Sequence, residues 1–233
     1  MDSLEADLAR ARTLSVESIA DAIESIGFEC THCGACCRAD PGCGESSDDG
    51  SMADADEHTA TIFPDEVRAL QDVLDGDADW RDVARPMPYG LAGESDGTLG
   101  GETFEWALQT DDCGDCTFYD ESADGGSCRV HADRPLICQT YPFSVAVDGT
   151  SQPMGAAVDG DGIVRAHECE GLGRSIGRDD ATALARTLKE RAIRELEEAI
   201  AVTTAYDPVD ASDRVVVHDS EGPKGIDGSP IDD

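Results

Sequence analysis

The sequence predicts an α+β fold: a small, irregular domain of short strands centred on its cysteines, flanked by an N-terminal helix and a long C-terminal helix. Three observations predict it. Apolar residues recur at helical spacing near both ends, as Leu4, Leu8 and Ala11 and as Leu184, Leu188, Ala192, Leu196 and Ala199/Ile200. Between them, strand-like runs are short and separated by stretches rich in Gly, Asp and Pro. Ten cysteines crowd this irregular middle, four of them in Cys30-Thr-His-Cys33-Gly-Ala-Cys36-Cys37.

The elements follow in chain order. Ser15 can cap a second helical stretch carrying Ile19, Ile23 and Ile26, and Gly27 is placed to stop it just before the cysteines. Residues 39–56, mostly Gly, Ser, Asp and Glu, read as a loop, and His58–Phe63 as a short strand. Pro64 opens a helix with Val67, Leu70, Val73 and Leu74 turned inward. Residues 75–101 read as irregular. Thr103–Leu108 alternates as a strand, with Phe104, Trp106 and Leu108 on one side. Asp124-Gly-Gly and Asp159-Gly-Asp161-Gly read as turns and Ser144–Val147 as a strand. Asp179 and Asp180 are placed to cap the helix 179–204. Val215–Val217 offers an edge strand, and the chain beyond about 219 reads as disordered. This divides the chain into an N-terminal helical segment (1–27), a cysteine-centred domain (28–206) and an acidic, largely disordered tail (207–233).

Asp and Glu number 51 against 17 Lys and Arg, a formal charge of −34, and only Lys189 and Lys224 are lysines. The acids are dispersed rather than gathered in one block, which points to a folded protein adapted to high salt rather than to an acidic disordered chain. Salt shortens the Debye length to roughly 3 Å near 1 M and screens the self-repulsion. The chain is therefore expected to unfold on dilution from molar salt into dilute buffer. Circular dichroism along a salt titration checks this, and an unchanged spectrum in dilute buffer would overturn it. Nucleic acid is excluded as a partner, because clustered Lys and Arg are missing. No run reaches the 18 or so apolar residues of a membrane span, and the start reads as no secretory leader. A cytoplasmic location is expected, where thiols stay reduced and metal binding outranks disulfides.

The remaining cysteines are 43, 113, 116, 128, 138 and 169. Thiols spaced two residues apart in a turn can face one centre, and thiolates bind zinc or iron strongly. The spacing Cys30-x2-Cys33-x2-Cys36 opens like a bacterial ferredoxin run, but Asp40 stands where its fourth cysteine would fall. Adjacent Cys36 and Cys37 point in different directions, which favours dividing them between two sites or having one bridge metals. His32, His131 and His167 each lie within three residues of a cysteine and are further candidate ligands. Cys113-x2-Cys116 has the spacing of a redox pair without the βαβ context. Pure thiolate ligation selects zinc or iron–sulfur; spacing alone does not choose between them.

Together with Cys128-Arg-Val-His-Ala-Asp-Arg134-Pro135-Leu-Ile-Cys138 and Tyr141-Pro142-Phe143, the first motif resembles the YkgJ-type cysteine-cluster (CxxCxxCC) family, described as zinc- or iron-chelating domains. The resemblance covers residues 28 to about 172. It implies the metal ligands Cys30, Cys33, Cys36, Cys37, Cys116, Cys128, Cys138 and Cys169, with zinc or iron, or a 4Fe-4S cluster, as the cofactor. His131 stands where an aromatic is more usual and Gln139 where arginine is common; Cys43 and Cys113 are extras. A flagellin lysine N-methylase has a similar cysteine cluster, so the functions open at this point are a metal-binding protein, a structural zinc module, and an iron–sulfur oxidoreductase or protein-modifying enzyme acting with an unknown protein or redox partner. Arg134 can donate to cluster sulfurs and so help bind the cofactor, while Tyr141–Phe143 is placed to cover the site.

Overall fold

The computed structural model describes residues 3–39, 57–74, 78–93, 99–122, 125–152, 157–159 and 162–231. Helices and several small sheets give the α+β class, with helices at the N-terminus and one long helix toward the C-terminus. Helix α1 (Leu4–Thr13) is capped by Ser3 and α2 (Val16–Ile26) by Ser15, whose side chain accepts from the Ser18 amide. Gly27, at φ 79°, ends α2, and a Cβ there would stand 2.4 Å from the Arg174 carbonyl oxygen. Ile19, Ile23, Leu8 and Ala11 bury against Leu188, Ala192 and Leu196 of α6 (Arg178–Ala205). Phe143 and Val145 of β8 (Phe143–Val145) and Val164 and Ala166 of β10 (Val164–His167) complete this helical core.

A second core forms around the antiparallel sheet β1-β5-β2, made of Thr61–Ile62, Trp106–Leu108 and Ala84–Pro86. Trp106, Leu108, Phe118 and Val83 pack there with Val67 and Leu70 of α3 (Pro64–Val73). Cys37, Cys116, Cys128 and Cys138 pack with this second core.

Several expectations are corrected. The strand predicted over His58–Phe63 shrinks to Thr61–Ile62, and Val73, assigned to the inner face of α3, is 44% exposed. Within the supposedly irregular 75–101, α4 (Trp80–Val83), β2, β3 (Leu91–Gly93) and the start of β4 (Leu99–Thr103) are formed, because Trp80 and Val83 supply buried anchors. The single strand Thr103–Leu108 is broken at Phe104 and Glu105; Phe104 turns outward onto Tyr206 and His218 while Trp106 goes inward. Gly177, not Asp179 or Asp180, is the N-cap of α6; the two aspartates occupy its first turn, where carboxylates suit the helix dipole. Gly125 and Gly126, assigned to a turn with Asp124, begin a strand over Gly125–Cys128, while Asp124 itself and residues 160–161 of the other assigned turn lie outside the described residues.

The largest difference concerns the tail. Beyond 207 the composition reads as disordered, yet β11 (Val215–Asp219) pairs in parallel with β4 and antiparallel with β12 (Gly222–Lys224). β11 is thus an interior strand, not an edge. Asp219 accepts from Trp106 Nε1 at 2.9 Å and pairs with Lys224 at 2.8 Å, both charges being buried. Lys224 also lies over the Trp80 ring. Lys189, the other lysine, donates to the Leu14 carbonyl. Both lysines are therefore committed to tertiary contacts, and arginine supplies the remaining basic charge.

Candidate metal centre

The first cysteine motif is held by its glycine. Gly34 sits at φ 76°, and a Cβ there would stand 2.3 Å from the Tyr119 ring, so the turn between Cys33 and Cys36 admits no side chain. Ala35–Cys37 then form a 3₁₀ turn. After it, the Cys116 amide donates to the Cys37 carbonyl at 2.8 Å and the Ala39 amide donates to Asp115 Oδ1 at 2.8 Å. These bonds fasten the Cys116 loop to the end of the motif.

Cys128 arrives at the end of a hairpin, β6 (Tyr119–Ser122) with β7 (Gly125–Cys128), where it faces Tyr119 in register. Cys138 lies on the short helix α5 (Leu136–Thr140). Glu66 of α3 positions that helix: its carboxylate accepts from the Leu136 amide at 2.9 Å and from the Phe63 amide at 3.1 Å. Burial pushes the Glu66 carboxyl above its ordinary range. Cys169 is brought to the motif by backbone pairing on the other side, with the Glu29 amide donating to Gly171 and the Gly173 amide to Gly27, each at 3.0 Å. The Gly171 amide also donates to Cys169 Sγ at 3.4 Å.

All eight cysteines that the family resemblance singles out are free thiols, and all line one cavity of about 880 Å³. Cys113 stands apart as disulfide-bonded, and Cys43 lies outside the described residues. The surroundings of the eight thiols differ. Cys37, Cys116, Cys128 and Cys138 pack in the core around Trp106 and Phe118. Cys169 instead lies next to the Gly171–Glu29 pairing, at the start of the first motif. The Cys36 sulfur stands 3.9 Å from that of Cys37. Among the described residues no three thiol, imidazole or carboxylate groups already stand as close as an enclosed ion requires; the sulfurs line a shared space.

Cys36, Cys116, Cys128, Cys138 and Cys169 hold their protons more firmly than an ordinary thiol. The bond to Cys37 and then burial raise Cys36, which solvent still reaches although protein atoms surround most of it. Burial pushes Cys116 up to about 12 and Cys138 well above its ordinary value, and it also raises Cys128 and Cys169. Buried sulfurs of this kind gain from exchanging their protons for a cation that neutralises them. Arg134 lines the cavity and its charge opposes the rise at Cys36, Cys128 and Cys138, while its Nε donates to the His131 carbonyl at 3.0 Å. Tyr141 also lines the cavity and donates to the Glu168 carbonyl, whereas Phe143 leaves the site for the helical core.

Of the three histidines near cysteines, His167 is buried against Ser144, with Nε2 3.0 Å from Oγ. His32 and His131 are exposed and face each other, with ring centroids 5.5 Å apart. Sequence reasoning missed Glu66, Tyr119 and Asp115 as positioning residues. The glutamate at the third position of α3 was a visible capping signal; its reach to Leu136 was not.

It also missed His58, a buried wall residue whose Nε2 has no hydrogen-bond partner. Burial, with the nearby Arg85 charge adding and Asp115 opposing, lowers its pKa from 6.5 to about 4. The folded protein thus keeps His58 neutral where the unfolded chain protonates it. Stability conferred by neutral His58 is intact above pH 6.5 and drains away as pH falls toward 4. At pH 5 this amounts to about 2 kcal/mol. His58→Leu is expected to show a correspondingly shallower loss than the parent between pH 7 and pH 5 in denaturant titrations. Thiol protonation is common to both proteins, so identical pH slopes would contradict this role.

No helix among the described residues is long and apolar enough to cross a membrane. No curated protein and no solved structure matches the chain. A family model, "CxxCxxCC: Putative zinc- or iron-chelating domain", matches residues 29–170, the span that carries all eight free thiols. That match covers more than half of the chain, and the protein belongs to the CxxCxxCC family of zinc- or iron-chelating domains.

Proposed function

We propose that the protein holds zinc or iron as two four-thiolate sets, Cys37, Cys116, Cys128 and Cys138 on the inside and Cys30, Cys33, Cys36 and Cys169 toward the rim. The observation that carries this reading is that all eight thiols are free and line one cavity, with Cys37, Cys116, Cys128 and Cys138 packed together in the core around Trp106 and Phe118. A closed four-thiolate zinc site acts as a structural cross-link, whereas iron in the same ligands gives access to electron transfer. The chain's own part is to converge the sulfurs. Glu66 places α5, the Gly171–Glu29 pairing places Cys169, and Arg134 supplies positive charge against the assembled thiolates. Native mass spectrometry of the zinc-loaded protein is expected to show two ions per chain. A single ion at saturation would contradict the two-set arrangement.

A second reading is favoured by the cavity itself. About 880 Å³ exceeds what two ions fill, and polar side chains such as Gln152 and Glu105 line it beside the thiols. This supports a 4Fe-4S cluster in an oxidoreductase or protein-modifying enzyme that meets a protein or redox partner at the cavity. Acid-labile sulfide in the purified protein separates this reading from the first. Free thiols in this number suit a reducing cytoplasm, and the dispersed acidic charge suits life at high salt without nucleic-acid partners.

A further inference from the structure

Two imidazoles stand at the cavity outside the eight-sulfur set. His32 lies between Cys30 and Cys33, and His131 follows the hairpin that ends at Cys128. Both side chains line the cavity and are exposed, their ring planes tilted by 41° at a centroid separation of 5.5 Å. They come from distant parts of the sequence. His32 is, among the described residues, the one non-glycine with positive φ, at 55°. A left-handed backbone at an ordinary residue is costly and persists where the surroundings impose it, which makes this outlier a pointer to function.

We propose that His32 and His131 form a capture site that first meets a divalent ion of the zinc or ferrous class and passes it to the thiols; this rests on the chelation reading above. Two imidazoles at this centroid separation are within reach of one shared ion, whose bonds to imidazole nitrogen are about 2.0–2.1 Å. A neutral imidazole offers its lone pair directly, whereas a thiol must release a proton as it ligates. Arg134 sits beside this pair, its Nε bonded to the His131 carbonyl. Its positive charge weakens retention of a cation at the rings and so favours onward transfer. Transfer exchanges imidazole nitrogen for sulfur on the ion, and each thiol that ligates gives its proton to the buffer.

The test is stopped-flow loading of the metal-free, full-length protein with sub-stoichiometric Co²⁺ in reducing, high-salt buffer, following thiolate-to-cobalt charge-transfer absorption. The variants are the double His32→Asn/His131→Gln, in which asparagine tolerates the left-handed backbone, and His131→Gln alone, which leaves the His32 turn untouched if the double variant misfolds. The expected result is an unchanged final amplitude reached about tenfold more slowly, the scale on which groups surrounding a metal site act. An unchanged rate with a normal thiolate band overturns the capture site alone. A reduced final amplitude also overturns it, because the rings are then resident ligands. Absence of the thiolate band in the parent protein overturns the chelation reading, and the capture site with it.

Discussion

Cys138→Ser is expected to remove one of two bound metal ions while Cys113→Ser removes none. Cys138 lies on α5 and packs with Cys37, Cys116 and Cys128 in the core around Trp106 and Phe118. Burial holds its proton far more tightly than usual, and exchange of that proton for a metal bond relieves an otherwise uncompensated buried thiolate. Serine nearly preserves the volume but offers an oxygen that soft thiolate sites do not accept in sulfur's place. The effect on folding should be large, since structural zinc bound to such ligands contributes about 10–16 kcal/mol. Cys113 is disulfide-bonded and outside the free set, which makes it the matched control. Metal per chain, measured on variants purified in parallel, decides the matter. Full retention in Cys138→Ser would remove Cys138 from the ligand set. Loss of both ions would mean that Cys36 bridges the two groups.

Arg191→Met is expected to destabilise the fold by about 3–5 kcal/mol, the scale for breaking a buried ion pair by removing one partner. Arg191 is only 2% exposed. Its Nε donates to Glu195 at 2.8 Å, and its Nη1 donates to Thr140 Oγ1 at 2.9 Å and to the Phe143 carbonyl at 3.1 Å. Nη2 donates to the Ser151 carbonyl. One guanidinium thus ties α6 to the end of α5, two residues beyond Cys138, and to the start of β8. Methionine keeps much of the stem but leaves the Glu195 carboxylate buried without its cation. Adding Glu195→Gln should restore part of the loss, because the stranded charge is then gone. Denaturant midpoints at constant salt measure both steps. A change under about 1 kcal/mol in the single variant, typical of exposed pairs, would contradict this role.

Local signals carried the helices. Ser15, Gly27 and the apolar spacing of α2 determine that element within its own residues, and the same is true of the α6 stripe. The family resemblance singled out the eight cysteines that line the cavity, and spacing alone brings only Cys30, Cys33, Cys36 and Cys37 together in one short segment. What was not readable depends on distant partners. β4 contains Gly100 and Gly101 and looks irregular until Val215 and Val217 of β11 pair with it. The acidic composition after 207 suggested disorder because nothing local reveals that Asp219 and Lys224 neutralise each other under Trp80 and Trp106. Phe104 was assigned inward by alternation, but the chain breaks there and the aromatic face is used on Tyr206 and His218. The placement of Cys36 and Cys37, whose sulfurs stand 3.9 Å apart, was open in the sequence for the same reason. It depends on Cys116 reaching back to Cys37 and on Gly171 pairing with Glu29.

The proposed function stands on chelation of zinc or iron by the eight free thiols. Elemental analysis with a visible spectrum, on protein purified anaerobically at high salt, tests it most directly. The account predicts stoichiometric zinc in a colourless protein, or iron with thiolate absorption near ~400 nm, in either case displaced when the thiols are alkylated under denaturing conditions. Protein that carries neither metal and takes up none when supplied with both, while all eight thiols titrate as free, would contradict it.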